Sequence, residues 1–186
     1  MEWQPNTHVI WPKTLSDDHV KKLDYIIQNN YNGLEDPNSA AYGKVTTTKL
    51  ISYDILFQFK EVEEIYNNAF HVATHHFGYN LFPLLKTKNA IYNEYHSDAG
   101  GKYDWHVDHS QHPKWDTKMT FIINLSESFT GGEFQLYNGQ EPATITEFSE
   151  PGTALVFKSH IMHRVTPVTS GTRRTLTFFL AGPAFQ

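Results

Sequence analysis

A chain of 186 residues is long enough to bury a substantial core as one domain, and 39% hydrophobic with 15% aromatic residues exclude a disordered chain. The net charge of -5 argues against a sequence-independent nucleic-acid binder, which needs a basic stripe, and the lack of cysteine excludes disulfides and thiolate metal sites. No apolar run approaches the roughly 18 to 20 residues of a membrane span, and Met1-Glu2-Trp3-Gln4-Pro5 lacks the basic and apolar regions of a signal peptide; an intracellular, cytoplasmic protein with no membrane or nucleic-acid partner is expected.

Taken in chain order, Ser16 to Asn30 predicts a helix. Ser16 suits the cap, Asp17 and Asp18 the positive N-terminal end, and Val20, Leu23, Ile26 and Ile27 recur at helical spacing. Tyr31-Asn32-Gly33 and Asp36-Pro37-Asn38-Ser39 read as loop, and Lys44 to Asp54, rich in Thr, Val and Ile, as extended chain. A second helix is expected from about Glu61 to His76, burying Val62, Ile65, Ala69, Val72 and Ala73. After Gly78 the pattern turns to short β-like runs: Lys88 to Tyr95, Tyr103 to Val107, Lys118 to Leu125, Gly132 to Tyr137, Ala143 to Phe148, Ala154 to Phe157, His163 to Val168 and Arg173 to Leu180. Gly-Gly, Asn-Gly, Pro-Gly and Ser-Gly turns punctuate them. The expected fold is mainly β with supporting helices, a sandwich or jelly roll, in a single domain over residues 1–186: a helical N-terminal support over 1–85 and the β core over 86–186.

Of the 11 histidines, His106 stands two residues before Asp108. At i and i+2 of an extended strand the two side chains leave the same face, so both can reach one ion. Two histidines and one carboxylate leave a metal an open face, the set that suits a non-haem Fe(II) oxygenase. His163 and His160 compete for the third position; three residues apart, they leave opposite faces of a strand, and parity alone does not choose. His109 has the wrong parity relative to Asp108, and His71, His75, His76, His96 and His112 fall in loops or a helix.

The stretch from His163 through Thr166-Pro167 and Ser170-Gly171 to Arg173 resembles the C-terminal signature of the prolyl 4-hydroxylase-like 2-oxoglutarate oxygenases, in particular the PKHD-type hydroxylases. Tyr103 to Asp108, Lys118-Met119-Thr120, Asn124-Leu125-Ser126, Gly131-Gly132-Glu133-Phe134 and Pro151 to Phe157 are similar to further family segments, in the right order over about residues 90 to 182. The resemblance implies a double-stranded β-helix (jelly roll) holding Fe(II) on His106, Asp108 and His163. It implies Arg173, ten positions after His163, as the anchor of the far carboxylate of 2-oxoglutarate, with Tyr95 and Thr120 bonding that carboxylate beside it. A guanidinium suits this work because it offers a two-point contact. Strand alternation places Arg173, Thr175 and Thr177 on one face and Arg174, Leu176 and Phe178 on the other. No catalytic residue beyond the metal ligands is implied.

With Fe(II), 2-oxoglutarate and O2 as its cofactors, such an enzyme hydroxylates an unactivated C–H, here in the first instance a prolyl residue of a peptide or protein. A free amino acid or other small-molecule substrate is the alternative, and a non-catalytic metal-binding jelly roll is the reading of a different class. Trp105, of opposite parity to His106, is expected to pack, and residues 96 to 102 and 109 to 117 to flank the entrance. PKHD-type hydroxylases carry a further C-terminal segment, so a sequence stopping at Gln186 reads as a minimal catalytic core.

Overall fold

A computed structural model describes residues 7–30, 43–83, 89–109, 112–137 and 139–184. The loop expected at Tyr31 to Gly33 and Asp36 to Ser39 lies outside the described residues. The first strand, β1 (His8–Trp11), is followed by helix α1 (Asp17–Asn30), whose start is capped as expected: Ser16 Oγ accepts the His19 N–H at 3.3 Å. Val20, Leu23 and Ile27 are the buried stripe of α1. Two strands, β2 (Gly43–Lys44) and β3 (Thr47–Ser52), lead into a single helical turn, α2 (Tyr53–Leu56), and then α3 (Lys60–His71). The expected helix to His76 holds, but its last turn, Val72–His76, widens into a π-helix.

The remaining strands are β4 (Asn89–His96), β5 (Lys102–His106), β6 (Trp115–Asn124), β7 (Phe129–Gly131), β8 (Phe134–Tyr137), β9 (Pro142–Thr144), β10 (Ala154–Lys158), β11 (His163–Val165) and β12 (Val168–Pro183). They form two sheets, and every described pairing is antiparallel. The larger runs β1-β10-β6-β12-β4-β3, with β7 also on β12; the smaller runs β2-β5-β11-β8-β9. This is the expected jelly roll. The N-terminal half is more than helical support, because β1, β2 and β3 extend both sheets by pairing with β10, β5 and β4.

The central strands of the larger sheet are buried on both faces over much of their length; β10 accordingly reads as a continuous apolar run, whereas β6 and β12 mix buried Thr and Arg among their apolar residues. One face, carrying Tyr92, Met119, Phe121, Ile123, Val156, Leu176 and Phe178, packs on α1, α2 and α3. The other, carrying Tyr95, Ile122, Leu155 and Phe157, meets Phe134, Leu136, Phe148 and Val165 between the sheets. Each such side chain contributes about 1.5–3 kcal/mol by leaving water. Phe178 sits at the first centre, stacked on Phe121 at 4.9 Å and flanked by Tyr53 and Tyr66.

Two local expectations change. The strand foreseen over Ala143 to Phe148 stops at Thr144, and Thr146–Ser149 coils into a 3-10 turn. There the Ser149 hydroxyl donates to Thr146 O at 2.8 Å, and the Asn124 amide donates to the carbonyls of Phe148 and Ser149. The Ser170-Gly171 step does not reverse the chain: Gly171, at φ 73°, lies within β12, which begins at Val168. Among the described residues no helix is long and apolar enough to cross a membrane.

Candidate metal centre

The last residue of β5, His106, pairs across the smaller sheet with the first residue of β11, His163, and their ring centroids lie 4.1 Å apart. β5 ends before Asp108, whose N–H is held instead by Ser159 O at 2.8 Å, in the turn between β10 and β11. One donor atom from each of His106, Asp108 and His163 lies within 4.8 Å of the others. The structure thus brings together the three expected ligands. His160 stays exposed on its turn and His109 is exposed beyond Asp108, so neither joins them.

Both imidazoles are oriented from behind. His106 Nδ1 bonds Asp104 O at 2.8 Å and His163 Nδ1 bonds Ile161 O at 2.9 Å. A carbonyl can only accept, so each Nδ1 carries the hydrogen and, in a neutral ring, each Nε2 presents a lone pair. Those lone pairs face a carboxylate: His106 Nε2 is 3.4 Å from Asp108 Oδ1, and His163 Nε2 is 3.3 Å from Oδ2. Such a cluster of electron pairs repels unless a positive charge sits among them, as added protons or as one cation. Burial pushes the Asp108 carboxyl up, yet the adjacent His163 and His106 hold it well below the usual carboxylate range. Neutral imidazole and ionised carboxylate, with the rings fixed by the carbonyls of Asp104 and Ile161, fit a divalent first-row cation such as Fe(II).

A cavity of about 110 Å³ runs from this triad to Arg173. Arg173 on β12 is opposite Tyr95 on β4, and its guanidinium carbon lies 5.3 Å from the Tyr95 ring and 5.8 Å from that of Phe148. The side chain is 2% exposed, and among the described residues no carboxylate pairs with it. Burial pulls its pKa down, with Tyr95 acting the other way. A buried guanidinium without a counter-ion is costly, so this end of the cavity calls for an anion. Arg174 faces the opposite way and is satisfied there, donating to Glu94 at 3.2 Å. Burial likewise pushes the Tyr95 phenol up to about 12, against Arg173, so it stays protonated and able to donate.

Thr120 does not stand beside Arg173 as expected. It pairs with Phe179, six residues along β12 from Arg173 and about 20 Å of strand away. Its hydroxyl donates to Asp108 Oδ2 at 2.7 Å, which places it beside the His-Asp-His group and away from Arg173. Thr175 and Thr177, on the same face of β12 as Arg173, and Ile91 and Asn93 of β4 also line the cavity.

Sequence reasoning also missed Ser159, fully buried beneath Asp108, because its partners are distant in the chain and nothing local marks it. Tyr103 lies against the His106 ring at 4.2 Å, and Phe157 and Phe134 against that of His163 at 4.7 and 5.6 Å, so the ligand rings are held by packing as well. Trp105 packs as expected, on the far face of its sheet, under the Arg164 guanidinium at 4.6 Å.

The sequence profile of the 2OG-Fe(II) oxygenase superfamily matches residues 90–181, from β4 to β12. Over those residues, just under half of its length, the chain is similar to that superfamily. For the 2OG-Fe(II) oxygenases the implied cofactors are Fe(II), 2-oxoglutarate and O2. A PKHD-type hydroxylase of Synechococcus sp. (strain CC9605) is 36% identical over 80 residues, covering 41% of this chain and 35% of that protein. The chain spans about a third to a half of the length of the curated relatives it matches. Two solved structures share the fold. One is a Pseudomonas putida prolyl-4-hydroxylase (TM-score 0.69, 14% identity, 95% of this chain and 92% of that one). The other is a prolyl hydroxylase from Trichoplax adhaerens in complex with a hypoxia inducible factor peptide fragment (TM-score 0.71, 15% identity, 95% and 84%).

Proposed function

We propose that this chain hydroxylates an unactivated C–H bond using Fe(II), 2-oxoglutarate and O2, and that its substrate is a prolyl residue of a peptide or protein. The observation that carries the reading is the pairing of a His-Asp-His cluster with the buried, unpaired Arg173 at the two ends of one cavity. A purely structural metal site has no use for a desolvated cation at that distance along the sheet.

His106, Asp108 and His163 would hold the iron, and Arg173 the far carboxylate of 2-oxoglutarate, with the Tyr95 hydroxyl as a second donor. Bound together, Fe(II) and 2-oxoglutarate supply the oxidising power, as the cosubstrate is converted with O2 to succinate and CO2 while the substrate gains a hydroxyl. What the chain itself contributes is placement. The Nδ1 bonds to Asp104 and Ile161 aim both Nε2 lone pairs at one point. The apolar walls of Ile91, Ile122, Phe134 and Val165 keep water from the anion and strengthen its attraction to Arg173. The peptide part of the reading is supported by the PKHD-type relatives and by the peptide-bound fold neighbour.

The test is Fe(II)-dependent succinate release from 2-oxoglutarate, screened against proline-containing peptides and free amino acids. Peptide-stimulated release that disappears in His106→Ala is the expected result. Stimulation by free amino acids alone would move the substrate to the small-molecule class. Absence of any Fe(II)-dependent succinate, with or without substrate, would overturn the oxygenase reading.

A further inference from the structure

We infer that Thr120, backed by Ser159, is a positioning residue that fixes the Asp108 carboxylate for metal binding; the inference rests on the reading of His106, Asp108 and His163 as a metal centre. Thr120 Oγ1 lies 2.7 Å from Asp108 Oδ2 and 3.0 Å from Ser159 Oγ. An ionised carboxylate only accepts, so the one hydroxyl proton of Thr120 points to Asp108. Thr120 Oγ1 is then the acceptor towards Ser159, and the Ser159 hydroxyl must donate. The direction of the whole relay, Ser159 to Thr120 to Asp108, follows from the charge at its end.

Both hydroxyl residues are 0% exposed, so no bulk water replaces a lost partner. Ser159 acts twice, since its carbonyl also accepts the Asp108 N–H at 2.8 Å. The turn that leads into His163 therefore holds the Asp108 backbone directly and its Oδ2 through Thr120. With Oδ2 engaged by a charge-assisted bond, Oδ1 is left as the less committed oxygen for a cation. That weights the carboxylate towards one-oxygen ligation, which leaves room at the metal for the cosubstrate. The Thr120 side chain has no other polar contact among the described residues that would explain a hydroxyl buried at this place in β6.

The experiment is an anaerobic titration of Co(II), a redox-stable stand-in for Fe(II), followed by its visible absorption, in wild type, Thr120→Val, Thr120→Ser and Ser159→Ala, with melting of each metal-free protein as the check on folding. Thr120→Val keeps the shape and removes the donor, and it should weaken Co(II) about 10- to 100-fold and alter the band envelope, as loss of an outer-shell partner does. Thr120→Ser restores the donor and should return affinity to within about threefold of wild type; Ser159→Ala should fall between. If Thr120→Val does not fold, the Ser159→Ala and Thr120→Ser titrations decide in its place. Wild-type affinity and spectrum in Thr120→Val, or in Ser159→Ala where that variant decides, would overturn the inference, as would a Thr120→Ser variant binding no better than Thr120→Val. In His106→Ala, Co(II) binding should be lost; if it is not, or if wild type binds none, the metal-centre reading itself falls. Triad-dependent binding that ignores Thr120 and Ser159 removes only this inference.

Discussion

Replacing Gly132 by alanine should damage cosubstrate binding as well as stability. Gly132 sits at φ 59°, in the left-handed region, where a side chain costs about 1–2 kcal/mol. A Cβ there would meet Val168 Cγ2 at 2.9 Å, Arg173 Cδ at 3.0 Å and Phe129 Cε2 at 3.2 Å. Crowding of that kind in a packed site costs about a further 1–3 kcal/mol. Gly78 is the matched control: its φ is 71° and nothing lies within 4 Å of its Cβ position, so Gly78→Ala carries the backbone cost alone. The two variants should therefore differ by about 1–3 kcal/mol, or roughly 2–12 °C in Tm for a domain of this size. Because one of the crowded atoms belongs to Arg173, 2-oxoglutarate affinity measured by calorimetry on the metal-loaded protein should fall in Gly132→Ala and stay at the wild-type value in Gly78→Ala. Equal melting losses together with unchanged 2-oxoglutarate affinity in Gly132→Ala would refute the view that this glycine makes room for the anchor.

Removing the anchor directly, Arg173→Ala should weaken 2-oxoglutarate about 10- to 100-fold, the loss of a charge-assisted contact, while Co(II) affinity stays near wild type; parallel titrations of both ligands check it. Phe178→Ala opens the helix-side core and should cost about 3–5 kcal/mol in urea unfolding, against less than about 1 kcal/mol for a change at exposed Tyr25. Glu94 gives a pH signature. Burial pushes its carboxyl up, but bonds from Tyr92, Arg174 and His96 outweigh this and hold it below its ordinary value of 4.5. A depressed carboxyl binds its proton later in the folded state than in the unfolded one. Its contribution is then complete above that ordinary value and is lost as pH falls through the folded value. Stability curves of wild type and Glu94→Gln should converge as pH falls below that ordinary value, and a gap that stays constant on acidification would count against the network.

The candidate metal ligands were legible in the sequence because the HxD pair is local and the resemblance selects His163. His106 and Asp108 are two residues apart, and the stretch from His163 to Arg173 is one continuous segment. The choice of Arg173 over Arg174 came from the resemblance, which puts the anchor ten positions after His163; along β12 alternation sends Arg173 to Tyr95 and the cavity and Arg174 to Glu94. Thr120 was not. Its parity was right, but whether it lies near Arg173 or near Asp108 depends on the register between β6 and β12, which no local pattern records. Ser159 was invisible because its whole role is to meet Asp108 and Thr120 across the fold. The helices were readable from their apolar spacing, whereas β1 and β2 are short and gain their meaning only from the partners β10 and β5.

The central claim is that one cavity holds Fe(II) on His106, Asp108 and His163 and 2-oxoglutarate between that metal and Arg173. The most direct measurement is the visible absorption of the protein with Fe(II) and 2-oxoglutarate under anaerobic conditions. A cosubstrate bound directly to Fe(II) gives a charge-transfer band, and the band should be present in wild type and His160→Ala and absent in His106→Ala, Asp108→Ala and His163→Ala. A wild-type protein without the band, or a band that survives the loss of His163, would contradict the account.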